Sequence, residues 1–423
     1  MKVLKGLNKY ERVICIGIKL VGVVLFCTVL GLIMIVGAYS LPKTKKLEFN
    51  IESSAEILLE EGIYPALFPW CTSQVDNFSD ALILQEIIYD GNESLTEKAM
   101  MNYYITNNSN STIVALNEYY VHEIKDGYVK KEYSRYWHGY ISIYKLFLYF
   151  FNLKQIRLIL LGINLSMGGC ILYICFKKNI YLSVAYFVTL LFLNPIVISH
   201  NMFFSNIYII MNLALVLADL FIRKGFNIYL AFTFIGCFAC YYDLLSYPFC
   251  TLGIPLIYII STKCNSEKPR DSVMEVLGMV FSWGFGYAGI WVSKWIVGSV
   301  ILKRNLFKEA YDVVKLRTSR DIAGTDFTTK DLFLSLLNNL RNSPIWIIFL
   351  IINLILIGIL MKKNMLFKAL YHGIPYMVII GLVLLWLFVK GNHSYLHSFF
   401  TYRELSTVCF AVLCLFGYSQ MKT

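Results

Sequence analysis

Two carboxylates four residues apart, Asp76 and Asp80 in Gln74-Val75-Asp76-Asn77-Phe78-Ser79-Asp80, could do chemistry together. On a helix that spacing puts both on one face. Such a pair can share a proton, so that one acid with a raised pKa deprotonates an acceptor hydroxyl. It can also hold a divalent metal ion through oxygen ligands. The competing structural explanation is that Asp76 caps the apolar helix that follows it. A second group is cationic. Arg135 and His138, in Tyr133-Ser134-Arg135-Tyr136-Trp137-His138-Gly139-Tyr140, suit an anionic lipid-linked phosphate or a sugar hydroxyl, in a run whose Trp and Tyr also suit a membrane interface. His393 and His397 share the same four-residue spacing. A metal would use that spacing on one helix, but a third ligand must come from elsewhere, and the pair can equally hydrogen-bond a phosphate or substrate. Lys294, in Trp291-Val292-Ser293-Lys294-Trp295, and Arg403 lie at the ends of apolar runs. There a cation either snorkels or meets an anion such as a lipid phosphate. His200 and Asp243 fall in turns that would border the same surface, where a helix-terminal role explains them.

The elements that must position these residues belong to a membrane protein. The chain has 423 residues, of which 57% are hydrophobic and 15% charged, and its mean hydropathy is +0.60. Water cannot be the main solvent of such a composition. The net charge of +11 does not mark a nucleic-acid binder, because Lys and Arg cluster at the ends of apolar runs and form no basic face interleaved with aromatics. Most of the eleven cysteines lie inside apolar runs, where a thiol acts as a small hydrophobe. There is no Walker loop, GxSxG elbow, Rossmann fingerprint or HExxH, which disfavours ATP-driven transport and serine hydrolysis.

The positive-inside rule then threads the chain. Lys2, Lys5, Lys9 and Arg12 hold the N-terminus in the cytoplasm before an uncleaved anchor helix at 1–39. Residues 40–139 follow as a large extracytoplasmic loop with interfacial helices. A transmembrane body spans 140–300, a second extracytoplasmic segment 301–343 is expected to pack against the first loop, and C-terminal transmembrane helices fill 344–423. Apolar runs at 156–176, 179–194, 204–222, 227–243, 248–262, 273–299, 344–361, 372–389 and 404–418 complete the fold class: an all-α polytopic membrane protein with about ten transmembrane helices. Both termini are then cytoplasmic, in the plasma membrane. Lys177, Lys178, Arg223, Lys224, Lys263, Lys268, Arg270, Lys362, Lys363 and Lys368 fall in the loops this threading places inside. The 179–194 run, ending at Asn194-Pro195, is a candidate broken span, and 140–153 a candidate interfacial or re-entrant stretch. The catalytic and binding candidates all converge outside.

This layout resembles the GT-C superfamily of membrane glycosyltransferases. The resemblance rests on one N-terminal span, a large first external loop carrying Asp76 and Asp80, and a multi-span body with cations at its outer rim. It covers nearly the whole chain in architecture, although the chain lacks the C-terminal soluble domain of some members and its first loop is longer than in many. The resemblance implies a polyprenyl-phosphate-linked sugar donor, a cell-envelope glycan or lipid-linked acceptor, and action on the exoplasmic face. It places the catalytic base at Asp76 or Asp80, with Arg403, Arg135 or Lys294 neutralising the leaving lipid phosphate. Two competing classes remain. A polysaccharide polymerase or ligase would carry its largest loop late in the chain. A transporter or flippase of lipid-linked glycans would carry midplane charges and inverted repeats, whereas Lys19, Asp219 and Glu275 fall near span ends.

Overall fold

The computed structural model describes residues 9–107, 111–263 and 269–417. Of the basic clusters used for threading, the side chains of Lys2, Lys5, Lys9, Arg12, Lys263 and Lys268 lie outside the described residues.

Every apolar run becomes helix, and local signals set the boundaries. Asparagine side chains cap one helix start after another. Asn152 forms a capping box with Gln155 before Leu153–Lys178, and Asn179, Asn194, Asn201 and Asn227 each accept a backbone N–H in the first turn of the helix they precede. Helix Met202–Lys224 ends on Arg223 and Lys224, followed by Gly225 at φ +67°, the left-handed stop that glycine adopts without strain.

Among the described residues, six helices are long and apolar enough to cross a membrane: Ile14–Ser40, Leu153–Lys178, Met202–Lys224, Pro269–Leu302, Ile345–Lys362 and Ser398–Phe416. A seventh crossing is available if Leu366–His372 and Ile374–Val389, bent by 59° about Gly373, form one broken span. The expectation of about ten spans is thus met only in part. The runs at 179–194, 227–243 and 248–262 form helices Ile180–Leu193, Ile228–Tyr242 and Cys250–Thr262. At about 1.5 Å per residue each falls short of a hydrocarbon core of about 30 Å. Pro195 and the cap residues Asn227 and Asp243 stop two of them. The outer apolar side chains show which solvent surrounds the long helices. Leu354 is 68% exposed and Ile355 57%, on helix Ile345–Lys362, whose only charge is Lys362 at its end. Apolar faces of that kind belong against lipid.

Helices Ile228–Tyr242 and Pro269–Leu302 pack along their length, and the first helix lies against both. Helix Leu405–Phe416 packs against Ile180–Leu193, Cys250–Lys263 and Ile374–Val389. Between the first helix and Leu153–Lys178 no described helix is a candidate span. That region holds Lys45–Glu61, Asn77–Ile88, Leu95–Met101, the buried short helix Ile141–Leu148 and an antiparallel pair, Tyr104–Thr106 with Val129–Lys131. Segment 301–343 folds as Leu306–Thr318, a tight hairpin turning at Gly324, and Thr329–Arg341. The two regions are joined. The Thr72 N–H donates to the Asn342 carbonyl (3.0 Å), Thr72 Oγ1 to the Asn339 carbonyl (2.9 Å) and Ser134 Oγ to Glu309 (2.9 Å).

Candidate functional site

The sequence candidates separate into three places. Asp76 is the cap of helix Asn77–Ile88, its carboxylate accepting from the Ser79 N–H (3.1 Å) and Ser79 Oγ (2.6 Å). Asp80 lies one turn on and is fully buried. Its Oδ1 accepts from Asn201 Nδ2 (2.9 Å) and the Met202 N–H (3.0 Å), at the start of helix Met202–Lys224, where the macrodipole favours a carboxylate. Arg157 stands 4.0 Å from Asp80 Oδ2 and donates to Glu61 (2.6 Å) and Asn77 (3.0 Å). The two acids thus point their hydrogen bonds at different partners. Burial raises Asp76 to about 6 and, against the pull of Arg157, raises Asp80 to about 8. Because Asp76 serves as a cap, Asp76→Ser keeps the melting temperature. Asp76→Ala costs about 1–2 kcal/mol, readable as a lower melting temperature in detergent. Equal melting of the two variants would remove the capping role.

His138 and Lys294 belong to a second buried group. His138 sits at φ +54°, with Nδ1 2.8 Å from Glu86 Oε1 and 2.5 Å from the Tyr140 hydroxyl, which donates to Glu86 Oε2 (3.2 Å). Lys294 is fully buried and donates to the Ala99 carbonyl (3.0 Å) and Asn102 Oδ1 (3.1 Å), with Trp137 beneath it. Burial raises the Glu86 carboxyl, opposed by His138. These contacts tie the first-loop region to helix Pro269–Leu302. Neither Lys294 nor His138 lines a described cavity.

The third place is open. An open cavity of about 150 Å³ is walled by Arg135, Arg317 and Lys390 together with Tyr136, Trp291, Trp295 and Trp386. Arg135 stacks over Tyr133 at 4.2 Å, and the Nε atoms of Arg135 and Arg317 have no hydrogen-bond partner among the described residues. Lys390 Nζ pairs with Glu404 Oε1 at 3.1 Å, and Trp386 Nε1 donates to the same oxygen at 3.0 Å. Asp243 accepts from the Ser246 N–H (2.9 Å) and Oγ (2.6 Å). Burial pushes its carboxyl up to about 6, while Lys390 and those bonds pull it down. Asp243 Oδ2 and Glu404 Oε2 are buried without a partner.

His393 and His397 flank this centre with ring centroids 4.7 Å apart, and His393 Nε2 lies 2.8 Å from the Leu245 carbonyl. Burial and the nearby cations Arg317 and Lys390 push His397 down to about 3 and hold His393 well below its usual range, so both rings are neutral. Among the described residues no three of His, Cys, Asp and Glu come together as a metal-holding group. Arg403 is completely buried away from the cavity lining. Its Nε donates to the Leu193 carbonyl (3.3 Å), its guanidinium lies over Phe204 (4.8 Å) and Tyr402 (5.2 Å), and both terminal nitrogens lack partners. His200 lies in the turn before helix Met202–Lys224.

Arg135 is therefore the only sequence candidate for phosphate binding that lines this cavity. Arg317, Lys390 and Glu404 were missed, as was Glu86. Lys390 and Glu404 are fourteen residues apart with a broken helical segment between them, so no helical period could pair them. A signal did exist for Lys390: a cation between the apolar run 372–389 and Gly391-Asn392-His393. No protein-family model, curated protein or solved structure matches the chain.

Proposed function

We propose that the protein is a membrane glycosyltransferase. It would move a sugar from a polyprenyl-phosphate donor to a cell-envelope glycan or lipid-linked acceptor at the exoplasmic face. One observation carries this reading: four aromatic rings line a largely apolar cavity whose wall also includes the side chains of Arg135, Arg317 and Lys390. Cationic donors suit a phosphate, and aromatic faces suit an apolar tail or a sugar ring. A cavity in an apolar surround also strengthens each charge contact. The GT-C resemblance supports the same class through its multi-span layout, of which six helices, or seven with the bent pair, are long enough to cross.

A transporter or flippase is the competing class. Arg157 in the second turn of its helix, Asp219 in the last two turns of its own and Lys294 in the last third of Pro269–Leu302 weigh against it, whereas the buried Arg403 and Glu404 lie well inside the span Ser398–Phe416 and keep it as the competing reading. A transport site needs its ionisable groups near midplane. A polymerase or ligase would use a similar cavity on a diphosphate-linked glycan and is separated from the main reading by donor choice.

The test is transfer of radiolabel from a panel of polyprenyl-phosphate sugars to endogenous acceptor in membranes containing the wild-type protein, Arg135→Ala or Arg317→Ala at matched levels. Each substitution removes a charge-assisted contact of about 1.5–3 kcal/mol. At 1.4 kcal/mol per decade, that raises the donor KM by roughly tenfold or more. Wild-type membranes that transfer from none of these donors sink the proposal, and transfer only from diphosphate-linked glycans moves it to the polymerase class.

A further inference from the structure

The geometry points to helix Leu306–Thr318 as a surface that docks on anionic phospholipid and forms the lipid-side rim of the cavity. Four observations carry it. The first is two-sidedness. Leu306 and Ala310 are buried, and Ala310, Val313 and Arg317 line the cavity, so one stripe of the helix faces the protein. Phe307, Tyr311 and Val314, spaced by four and three residues, form a second stripe that is exposed, Tyr311 to 68%. The second is depth. Three residues connect the helix to the span Pro269–Leu302, and its start turns back along that span. The Leu306 N–H donates to Ser299 Oγ (3.0 Å), and the Phe307 ring meets Trp295 edge-on at 5.7 Å. Trp295 lies about 10 Å along the axis from the end of the span, so the short helix begins level with the span's last turns. The third is continuity. Val292 and Ile296, which flank Trp295 on the span, are exposed apolar side chains of the kind that meet lipid chains. The exposed stripe joins that surface through the contact of Phe307 with Trp295. The fourth is charge. Lys308 and Lys315, seven residues apart, run beside the stripe, exposed and without an ion-pair partner among the described residues, while Arg304 is held by Glu132 and Glu309. A helix with an apolar stripe bordered by lysines lies in the plane of a membrane interface, its ammonium groups among the headgroups.

Val314 belongs to both sides. It stands on the exposed stripe and also lines the cavity, so the cavity opens at the edge of the helix that lipid covers. A lipid-linked molecule would then enter sideways from the leaflet, its tail along Val314 and its phosphate toward Arg135 and Arg317 in the same wall. The docking stands without the glycosyltransferase reading; only the nature of the molecule admitted rests on it.

The test places p-benzoylphenylalanine in place of Tyr311, and separately in place of Leu316, in the full chain reconstituted in nanodiscs of equal phosphatidylcholine and phosphatidylglycerol. Photo-adducts are read by mass spectrometry. Leu316, 54% exposed on the far side of the helix, is open to the surroundings but off the stripe. The expected result is phospholipid captured at position 311 and little at 316, with phosphatidylglycerol enriched about fivefold for each neighbouring lysine. Lys308→Gln combined with Lys315→Gln is expected to keep the adducts and remove the enrichment. No lipid at position 311, equal capture at 311 and 316, or capture of protein instead overturns the docking face. Phosphatidylcholine captured as readily as phosphatidylglycerol overturns the anionic partner. Should the position-311 variant not assemble, Tyr311→Trp in nanodiscs of chain-brominated lipid serves: quenching of the added emission supports the proposal, and unquenched emission overturns it. No readout here uses a sugar donor, so this proposal and the proposed transferase activity fail separately.

Discussion

Gly236→Ala and Gly286→Ala are each expected to abolish a monodisperse folded protein, while Gly284→Ala leaves it intact. A Cβ on Gly236 would run into the Trp283 carbonyl oxygen and stand 2.9 Å from the Tyr287 nitrogen. One on Gly286 would run into the Thr233 carbonyl oxygen and stand 3.1 Å from the Cys237 nitrogen. In both cases the obstacle is backbone, which no rotamer change relieves. Helices Ile228–Tyr242 and Pro269–Leu302 would have to move apart along the contact that organises the body. Small residues permit close backbone approach where no hydrophobic force drives helices together in lipid. Overpacking costs typically 1–3 kcal/mol where side chains can yield, and rigid backbone puts these sites at about the top of that range or above. Gly284, on the same helix, has nothing within 4 Å of its virtual Cβ, so alanine there gains about 1 kcal/mol of helix propensity at most. Size-exclusion profiles and melting temperatures in detergent decide the matter. If Gly236→Ala and Gly284→Ala melt alike, the close crossing is not a constraint.

The Asp80 carboxyl should cost the protein stability as pH rises from about 4 to about 8, so Asp80→Asn should show a flatter fall of stability with pH than wild type. An unfolded aspartate titrates near about 3.9, whereas burial holds Asp80 near about 8 in the fold. Between those values the native state binds the extra proton, so unfolding free energy falls with pH across the interval and levels off above the folded value. Asp76, near about 6, adds a smaller slope of the same sign. Asparagine mimics the protonated acid, keeping an acceptor for Asn201 and the Met202 N–H. Asp80→Ala removes that acceptor and costs about 1–3 kcal/mol for the donors left bare. Thermal melts of the three proteins across this pH range check the sign. A pH dependence that is the same in wild type and Asp80→Asn contradicts the buried-acid description.

Much of the helical layout was legible because lipid solvation writes itself as long apolar runs. The run at 273–299 appears as Pro269–Leu302, and that at 204–222 as Met202–Lys224. What hydropathy could not separate was a run that crosses from one that stops at a cap, as 227–243 does between Asn227 and Asp243. The capping explanation of Asp76, legible from its place before an apolar run, is the geometry found. Packing, in contrast, pairs residues without regard to local period. Glu86 meets His138 and Lys390 meets Glu404 across separate elements, and neither pairing leaves a spacing rule behind. Asp76 and Asp80 have the spacing of a catalytic pair, but burial and different partners pull them apart in role.

The cavity wall is assembled from stretches far apart along the chain: Arg135, then Trp291 and Trp295, then Arg317, and finally Trp386 and Lys390, with Glu404 behind them. A ribosome delivers these in that order. During synthesis the early part of the wall must therefore wait for its last stretch, and Lys390 for Glu404, fourteen residues further on. A chain stalled just short of Glu404 would hold Lys390 without its carboxylate partner, in a wall whose last support has yet to arrive.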